Sequence, residues 1–291
     1  MILSVGEILI DLFKANGTDT TCVGGAPFNV AVRAKRAGAK VGFCGNVGDD
    51  DYGKFILDNT RKYALDFAHI IVLENTKTTI AEVSLDNCGE RSFRFLRDNT
   101  ADYQFDIDDV DLDKINPSIL HIGTLMLNEE IGRQFALDLT KKAQEKGILI
   151  SVDVNFRDDL FKSKKDRDFK MKPLIESADI LKMGLDEILD YTEQSNLENA
   201  VKTLPYKNIL FVTDGENGSH LFVGKNHAYI PSQKVHAVDT TGAGDAFHGT
   251  ALAGIDNLIE NGLPLTIDNL IPVVQKANIE GANAVSHIGA I

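Results

Sequence analysis

The chain has 291 residues, a formal net charge of −13, 43% hydrophobic residues and 25% charged residues. That length suits one large α/β domain or two modest ones, and the acidic balance argues against a nucleic-acid or anionic-membrane partner. Three scattered cysteines, Cys22, Cys44 and Cys88, have no CxxC or Cys/His ligand spacing, which speaks against a disulfide framework or zinc site and fits a reducing cytoplasm.

Apolar residues dominate 2–10, with Glu7 and Asp11 close by and no basic start. This predicts a first β-strand, not a signal peptide. Asp11, at the strand end, offers an acceptor for sugar hydroxyls or is simply a turn residue. The cluster Gly24-Gly25-Ala26-Pro27-Phe28-Asn29 opens a helix over 27–37. Paired glycines allow close backbone approach, and Pro27 suits a helix start. Asn29 presents both a donor and an acceptor, as a polyol requires. A plain loop and helix cap fits the same residues.

A strand at 41–47 leads into a helix at 51–63. Between them, Gly48 to Lys54 matches the G-x-x-x-x-G-K spacing of a P-loop, but Phe55 stands where Ser or Thr should ligate magnesium. Asp49, Asp50 and Asp51 would also repel phosphate. The segment reads as a turn and helix start.

Residues 79–85 alternate, with Thr79, Ala81, Val83 and Leu85 on one face. A polar stretch at 86–90 follows, and 91–97 alternates again. This predicts a hairpin inserted among parallel strands, serving as a lid or an oligomer contact.

Strands at 119–122, 148–154, 180–183 and 209–213 then alternate with helices at 129–146 and 196–203. Nearly continuous apolar strands separated by helices imply a parallel sheet covered on both faces, with ligands at the strands' C-terminal ends. Asp153, Asn155 and Arg157 share one side of the strand end at 153–157. They form either a phosphate- and sugar-facing group or an internal polar cluster. Residues 162–172 are the most basic stretch, interrupted by Asp166 and Asp168, and read as a solvated loop or helix face. Residues 213–218 read as a tight turn between hairpin strands.

The most informative stretch is Asp239-Thr240-Thr241-Gly242-Ala243-Gly244-Asp245-Ala246-Phe247, entering a helix at 246–261. A further helix follows at 272–286. Small residues running into a helix aim several N–H groups, with the helix dipole behind them, at one anion. Asp245 would repel that anion unless it takes a proton from an attacking hydroxyl. A glycine-rich turn kept for its geometry is the plainer reading.

Taken together, residues 24–31 (Gly-Gly-Ala-Pro-Phe-Asn-Val-Ala), 45–50 (Gly-Asn-Val-Gly-Asp-Asp) and 239–247 resemble the PfkB, or ribokinase-like, carbohydrate kinase family. The match runs in order from Gly6-Glu7 to Gly289-Ala290. GGAPxNVA, with Phe95-Leu96-Arg97 followed by Ala101-Asp102, is most similar to the fructokinase branch. The resemblance implies one α/β domain over 1–291: a ribokinase-like, Rossmann-type, mostly parallel sheet flanked by helices. A small β-sheet lid, at about 12–23 and 75–104, would often form a homodimer contact.

It further implies ATP-dependent phosphorylation of a sugar, most similar to fructose giving fructose 6-phosphate. Asp245 would be the base, and Gly242, Ala243 and Gly244 the rest of the anion hole. Asp11, Gly24, Gly25, Asn29, Arg97 and Arg157 would face the sugar. Asn155, Thr213, Gly215, Gly218, Gly242, Gly244 and Asn278 would lie along ATP. Glu187 would meet Mg²⁺ through water. Asp239, Thr241, Ala282 and Ser286 would surround a monovalent cation such as K⁺.

Two departures stand out. Gly184 replaces the Asn common three residues before Glu187, and His248 follows the signature where a small or apolar residue is usual. 2-keto-3-deoxygluconate is the rival substrate, because that branch shares the Arg97 and Arg157 pattern. A non-catalytic sugar- or nucleotide-responsive protein on the same fold is the alternative of another class.

Overall fold

The computed structural model describes residues 1–15, 18–85, 91–236, 238–286 and 289–291. The first apolar run is not one strand. It divides into β1 (Ile2–Val5) and β2 (Leu9–Ala15). The chain bends at Gly6, whose φ of 150° is open to glycine and strained for other residues. There it leaves one sheet and enters another. Hydropathy hides this break, because Ile2, Leu3, Val5, Ile8, Leu9 and Ile10 are all buried.

The smaller sheet has the order β3-β2-β6-β7, with β3 at Thr18–Gly24, β6 at Ile80–Leu85 and β7 at Arg91–Leu96. β6 and β7 form the hairpin expected from alternation, with Thr79, Ala81 and Val83 buried on one face. Its polar turn at 86–90 lies outside the described residues.

The larger sheet also uses β4 (Val41–Gly48), β5 (Phe67–Leu73), β8 (Ile119–Ile122), β9 (Leu149–Asp153), β10 (Ile180–Gly184), β11 (Ile209–Thr213), β12 (Gly218–Val223) and β13 (Asn226–Pro231). Its order is β13-β12-β11-β10-β9-β8-β1-β4-β5. Neighbours from β5 to β11 run parallel, and β12 and β13 are added antiparallel. The chain builds outward from β1 through β4 and β5, then resumes at β8 on the opposite side. Such a reversal leaves a crevice beyond the strand ends, here at β1 and β8, where ligands of doubly wound sheets bind.

The helices are α1 (Ala26–Arg36), α2 (Asp51–Thr60), α3 (Leu112–Ile115), α4 (Glu130–Glu145), α5 (Lys164–Ser177), α6 (Leu185–Thr192), α7 (Leu197–Thr203), α8 (Ala243–Glu260) and α9 (Ile267–Ala284). Alternate strand residues feed two cores. Leu3, Leu120, Val152, Leu181 and Val212 pack with residues of α4 to α7. Ile2, Phe43, Ile119, Ile180 and Phe211 pack with residues of α1, α2, α8 and α9. Burial on both faces explains why these strands read as continuous apolar runs. No helix among the described residues is long and apolar enough to cross a membrane.

Several elements differ from expectation. α9 begins at Ile267, five residues early, and carries Pro272 inside it. The basic stretch at 162–172 is mostly helix, and Arg167 within it is buried, not solvated. Arg167 binds Asp158, Asp168 and Asp190 and lies 3.6 Å over the Phe156 ring. β5 and α6 had no clear sequence signal.

The P-loop-like spacing at Gly48 is a helix cap. Asp50 accepts from Gly53 N (2.8 Å), Thr78 N (2.8 Å) and Thr78 Oγ1 (2.7 Å). Burial alone would raise its carboxyl, but these hydrogen bonds hold it below the usual range. Asp50→Ala removes the cap and strands the Thr78 donors. The expected loss is about 1–3 kcal/mol by urea unfolding. Nucleotide affinity of the folded protein should be unchanged.

Candidate active site

The crevice at the β1/β8 switch is a cleft of about 740 Å³. Its base is the start of α8. Gly242, the N-cap, has φ 77°, and a Cβ there would lie 2.6 Å from Ala290. Only glycine fits this tight approach. Gly242 leads into the first turn of α8, whose N–H groups have no intrahelical acceptors. The turn is braced from outside. Asp239 accepts from Thr241 N and Gly289 N, both at 2.8 Å. Val238 N and Asp239 N bond to Val285 O at the end of α9.

Asp245 is the third residue of α8 and is buried. Its Oδ2 accepts from Asn29 Nδ2 at 2.8 Å. Asn29 sits in the first turns of α1, so the glycine-proline start of α1 and the glycine turn of α8 meet at this bond. Burial, and then the charge of Asp153, push the Asp245 carboxyl up to about 6, against the Asn29 bond, Lys182 and Arg157. A carboxylate so tuned is ionised at neutral pH yet basic enough to share a proton.

The structure brings Asp11, Gly25, Asn29, Asn155, Arg157, Asp239, Thr241, Gly242, Gly244 and Asp245 to the cleft wall. Ala243 is the first residue of α8, and Gly24 ends β3. Asp11 is half-buried on β2. Burial, then Asp245, raise its carboxyl to about 7. Arg157 donates to Asn155 Oδ1 and to Phe156 O (3.0 Å).

The other expected residues lie elsewhere. Arg97 is in a neighbouring groove, bound to Asp102 (2.6 Å) and Asn128 Oδ1 (2.5 Å). Thr213, Gly215 and Gly218 form the turn between β11 and β12, beside Gly184 of β10. Asn278 spends its amide on fold contacts, accepting from Ser219 Oγ (2.9 Å) and donating to Ile230 O (3.0 Å). Glu187 closes the first turn of α6, accepting from Gly184 N (2.6 Å) and Phe156 N (3.2 Å). Ala282 is on the last turns of α9, with Ser286 just beyond.

Lys182 is a cleft residue that the sequence reading missed. It is buried on β10 and ion-paired with Asp153 at 2.9 Å. A Cβ added to Gly244 would lie 2.8 Å from its Nζ. Burial opposes its charge, but Asp153, Glu187 and Asp245 together raise its pKa. The signal was present: a lysine inside the apolar run Ile180-Leu181-Lys182-Met183 needs a buried counter-charge. Glu7 and Thr124, at the ends of β1 and β8, were missed as well. His248 is fully buried on α8, bonded through Nε2 to Ser151 Oγ (2.8 Å), which in turn contacts His121 (3.2 Å). Burial, then Lys182, drive it down to about 3, so it is neutral.

Residues 1–290 match the family model for pfkB family carbohydrate kinases. The chain belongs to this family. It is an ATP-dependent carbohydrate kinase, fructokinase-like in its relatives. Fructokinase-1 of Zea mays is 31% identical over 304 residues, covering 100% of this chain and 93% of that protein. Among solved structures, the ATP-bound fructokinase of Xylella fastidiosa superposes with a TM-score of 0.89 at 27% identity, over 99% of this chain and 93% of that one. A fructokinase double mutant of Vibrio cholerae, with fructose, ADP and potassium bound, gives 0.88 at 26% identity with the same coverage.

The burial of Asp245 has a measurable cost. Its pKa is about 6 in the fold against an ordinary 3.8. Stability linked to a raised carboxyl is fully present below the ordinary value and is lost as pH rises through the folded one. Asp245→Asn keeps an acceptor for Asn29 and removes the charge. Its unfolding free energy should match wild type near pH 4 and exceed it by about 1–3 kcal/mol at pH 7.5. Paired urea melts at the two pH values check this.

Proposed function

We propose that this kinase transfers the γ-phosphoryl group of ATP to the 6-hydroxyl of fructose. The observation that carries the reading is the buried Asp245 carboxylate, raised toward neutrality, on the helix turn suited to the phosphate. In this account the hydroxyl lies against Asp245 and gives up its proton as its oxygen attacks phosphorus. The first-turn N–H groups of α8 take the charge on the transferring group, and Lys182 stands beside Gly244 to add to it. A positioned base contributes about 10²–10⁴-fold, and preorganised donors a comparable or larger amount.

Charge placement supports a neutral ketose over 2-keto-3-deoxygluconate. A sugar acid requires uncompensated positive charge. Arg97 is paired with Asp102 outside the cleft, and Lys182 is paired with Asp153. Asp239 and Asp245 line the cleft alongside Arg157 and Lys182, and Asp11, raised to about 7, adds part of a further negative charge. The balance favours hydroxyl-rich, uncharged substrates.

ATP would run from the α8 turn toward Thr213, Gly215 and Gly218, with Asn155 near its phosphates. Asn278 supports the edge strands that carry this turn. Magnesium would supply charge neutralisation at the phosphates. Both oxygens of Glu187 already accept backbone N–H groups, which fits contact through water rather than direct ligation. A potassium-class cation beside Asp239, Thr241, Ala282 and Ser286 would balance the buried Asp239 and firm the turn. The single domain carries its small sheet as a lid and as the contact between two copies of the chain, and the protein works in the cytoplasm. Leu9, Asp11, Ala81 and Phe95 of the small sheet already wall the cleft, where closure would exclude water.

A coupled ADP-release assay over a sugar panel tests the substrate. Fructose should give the highest kcat/KM, and 2-keto-3-deoxygluconate a value at least tenfold lower. Preference for the acid would contradict the charge argument. Sugar binding without ADP release from any sugar would contradict the activity. Asp245→Ala should lower kcat by about 10²–10⁴-fold while the sugar dissociation constant changes little.

A further inference from the structure

The turn that opens α8 is held from outside the helix. Ala290, which is 5% exposed, packs directly against Gly242. A Cβ on that glycine would meet the Cα and Cβ of Ala290 at 2.6 Å and its carbonyl oxygen at 3.1 Å. Gly289 N donates to Asp239 Oδ2 at 2.8 Å, while Oδ1 of the same carboxylate takes Thr241 N. Residues 289 and 290 therefore fix the turn from two directions. They belong to no helix or strand, so a contact from elsewhere must keep them in place.

That contact comes from α1. Arg33 donates twice to Ala290 O, from Nε at 3.1 Å and from Nη2 at 2.5 Å. A guanidinium presents these donors as a rigid fork, so it fixes direction as well as distance. Arg33 lies four residues after Asn29, on the same face of α1, and that face is turned toward α8. The two helices meet closely at Gly249, where a Cβ would come within 2.6 Å of Val30 O and 2.8 Å of Arg33 Cβ. One helix face thus grips the site twice. Asn29 holds the Asp245 carboxylate, and one turn later Arg33 holds the segment against which Gly242 rests.

We propose that Arg33 is a positioning residue for phosphoryl transfer: by clamping Ala290 it keeps the N–H groups of the α8 turn aimed at the phosphoryl group of ATP. This rests on the sugar-kinase reading above and deepens it. Arg33 does not line the cleft, so it acts through residues 289 and 290. The proposal requires an asymmetric defect. Asp11 and Asn29 reach the cleft without residues 289 and 290, whereas the phosphate turn depends on them. Loss of the clamp should damage the use of ATP and spare the sugar. A misplacement of about 1 Å at such a site can cost about 10²-fold in rate.

The test compares the full-length enzyme with Arg33→Met, which keeps the stem and removes both donors, and with Arg33→Lys, which returns one. The sugar is the one of the panel with the highest kcat/KM. Arg33→Met should lower kcat/KM for ATP by about tenfold or more. The dissociation constant of the sugar, measured by calorimetry without nucleotide, should stay within about twofold. Arg33→Lys should fall between the methionine variant and wild type. Thermal melts establish folding. If the methionine variant does not fold, the lysine variant carries the test, with a clear loss in kcat/KM for ATP and unchanged sugar affinity. Wild-type ATP kinetics in the variant that carries the test overturn the proposal. So does sugar affinity that falls by the same factor as kcat/KM for ATP, the mark of general damage, or a lysine variant no better than the methionine one. If wild type turns over no sugar, the kinase reading fails separately. Arg33 is then tested by affinity for a non-hydrolysable ATP analogue, which should weaken by about tenfold in Arg33→Met, and unchanged affinity overturns the proposal.

Discussion

The site is organised around a carboxylate buried at a helix N-terminus, where an anion is favoured. Asp245 stands on the first turn of α8, the place in the fold best suited to hold a phosphate. Its charge opposes that ligand and is costly to bury, which shows in a pKa near 6. The surroundings hold the conflict in place. Asn29 fixes its orientation, Lys182 sits beside the same turn, and Asp153 keeps Lys182 from simply neutralising Asp245. The glycines at 242 and 244 bring backbone and lysine this close. A carboxylate kept at such a cost, beside the first-turn N–H groups of α8, fits the proposed role of removing a proton during transfer.

The sheet topology decides what meets Asp245. Reversal of strand order at β1 opens the crevice between β1 and β8, and the bend at Gly6 sends β2 out into the small sheet that walls it. The N-terminal third of the chain thus supplies Glu7, Asp11 and Asn29 from one side. The C-terminal third supplies the phosphate turn from the other. Asn29 to Asp245 spans 216 residues in one hydrogen bond. Loss of either helix start would therefore disrupt both halves of the site.

Much of this was legible in the sequence because local chemistry and tertiary role coincide. Gly25-Ala26-Pro27 and Gly242-Ala243-Gly244 are both helix entries and cleft walls, so their turn chemistry marked them. Alternation at 79–85 revealed the hairpin because one of its faces is buried. Residues whose role depends on a distant partner were harder to see. Lys182 drew no reading from the sequence, because its counter-charge Asp153 lies on another strand. Glu7 was hidden in an apolar run that proved to be two strands in different sheets. Arg97 carried the right residue type, but Asp102, five positions on, holds it in the next groove. Asn278 was expected along the nucleotide, and the contacts of its amide with β12 and β13 could not be read from spacing. Pro272 moved the expected start of α9, because proline suits a first turn and here lies one turn further in.

The central claim is that Asp245 works as a base whose carboxyl is pushed by burial up to about 6. The pH dependence of kcat/KM for the preferred sugar, measured with saturating ATP from pH 4.5 to 7.5, addresses it most directly. The account predicts an acid limb with its midpoint at about 6, the value the buried site imposes. A profile that stays flat down to pH 5 would contradict it.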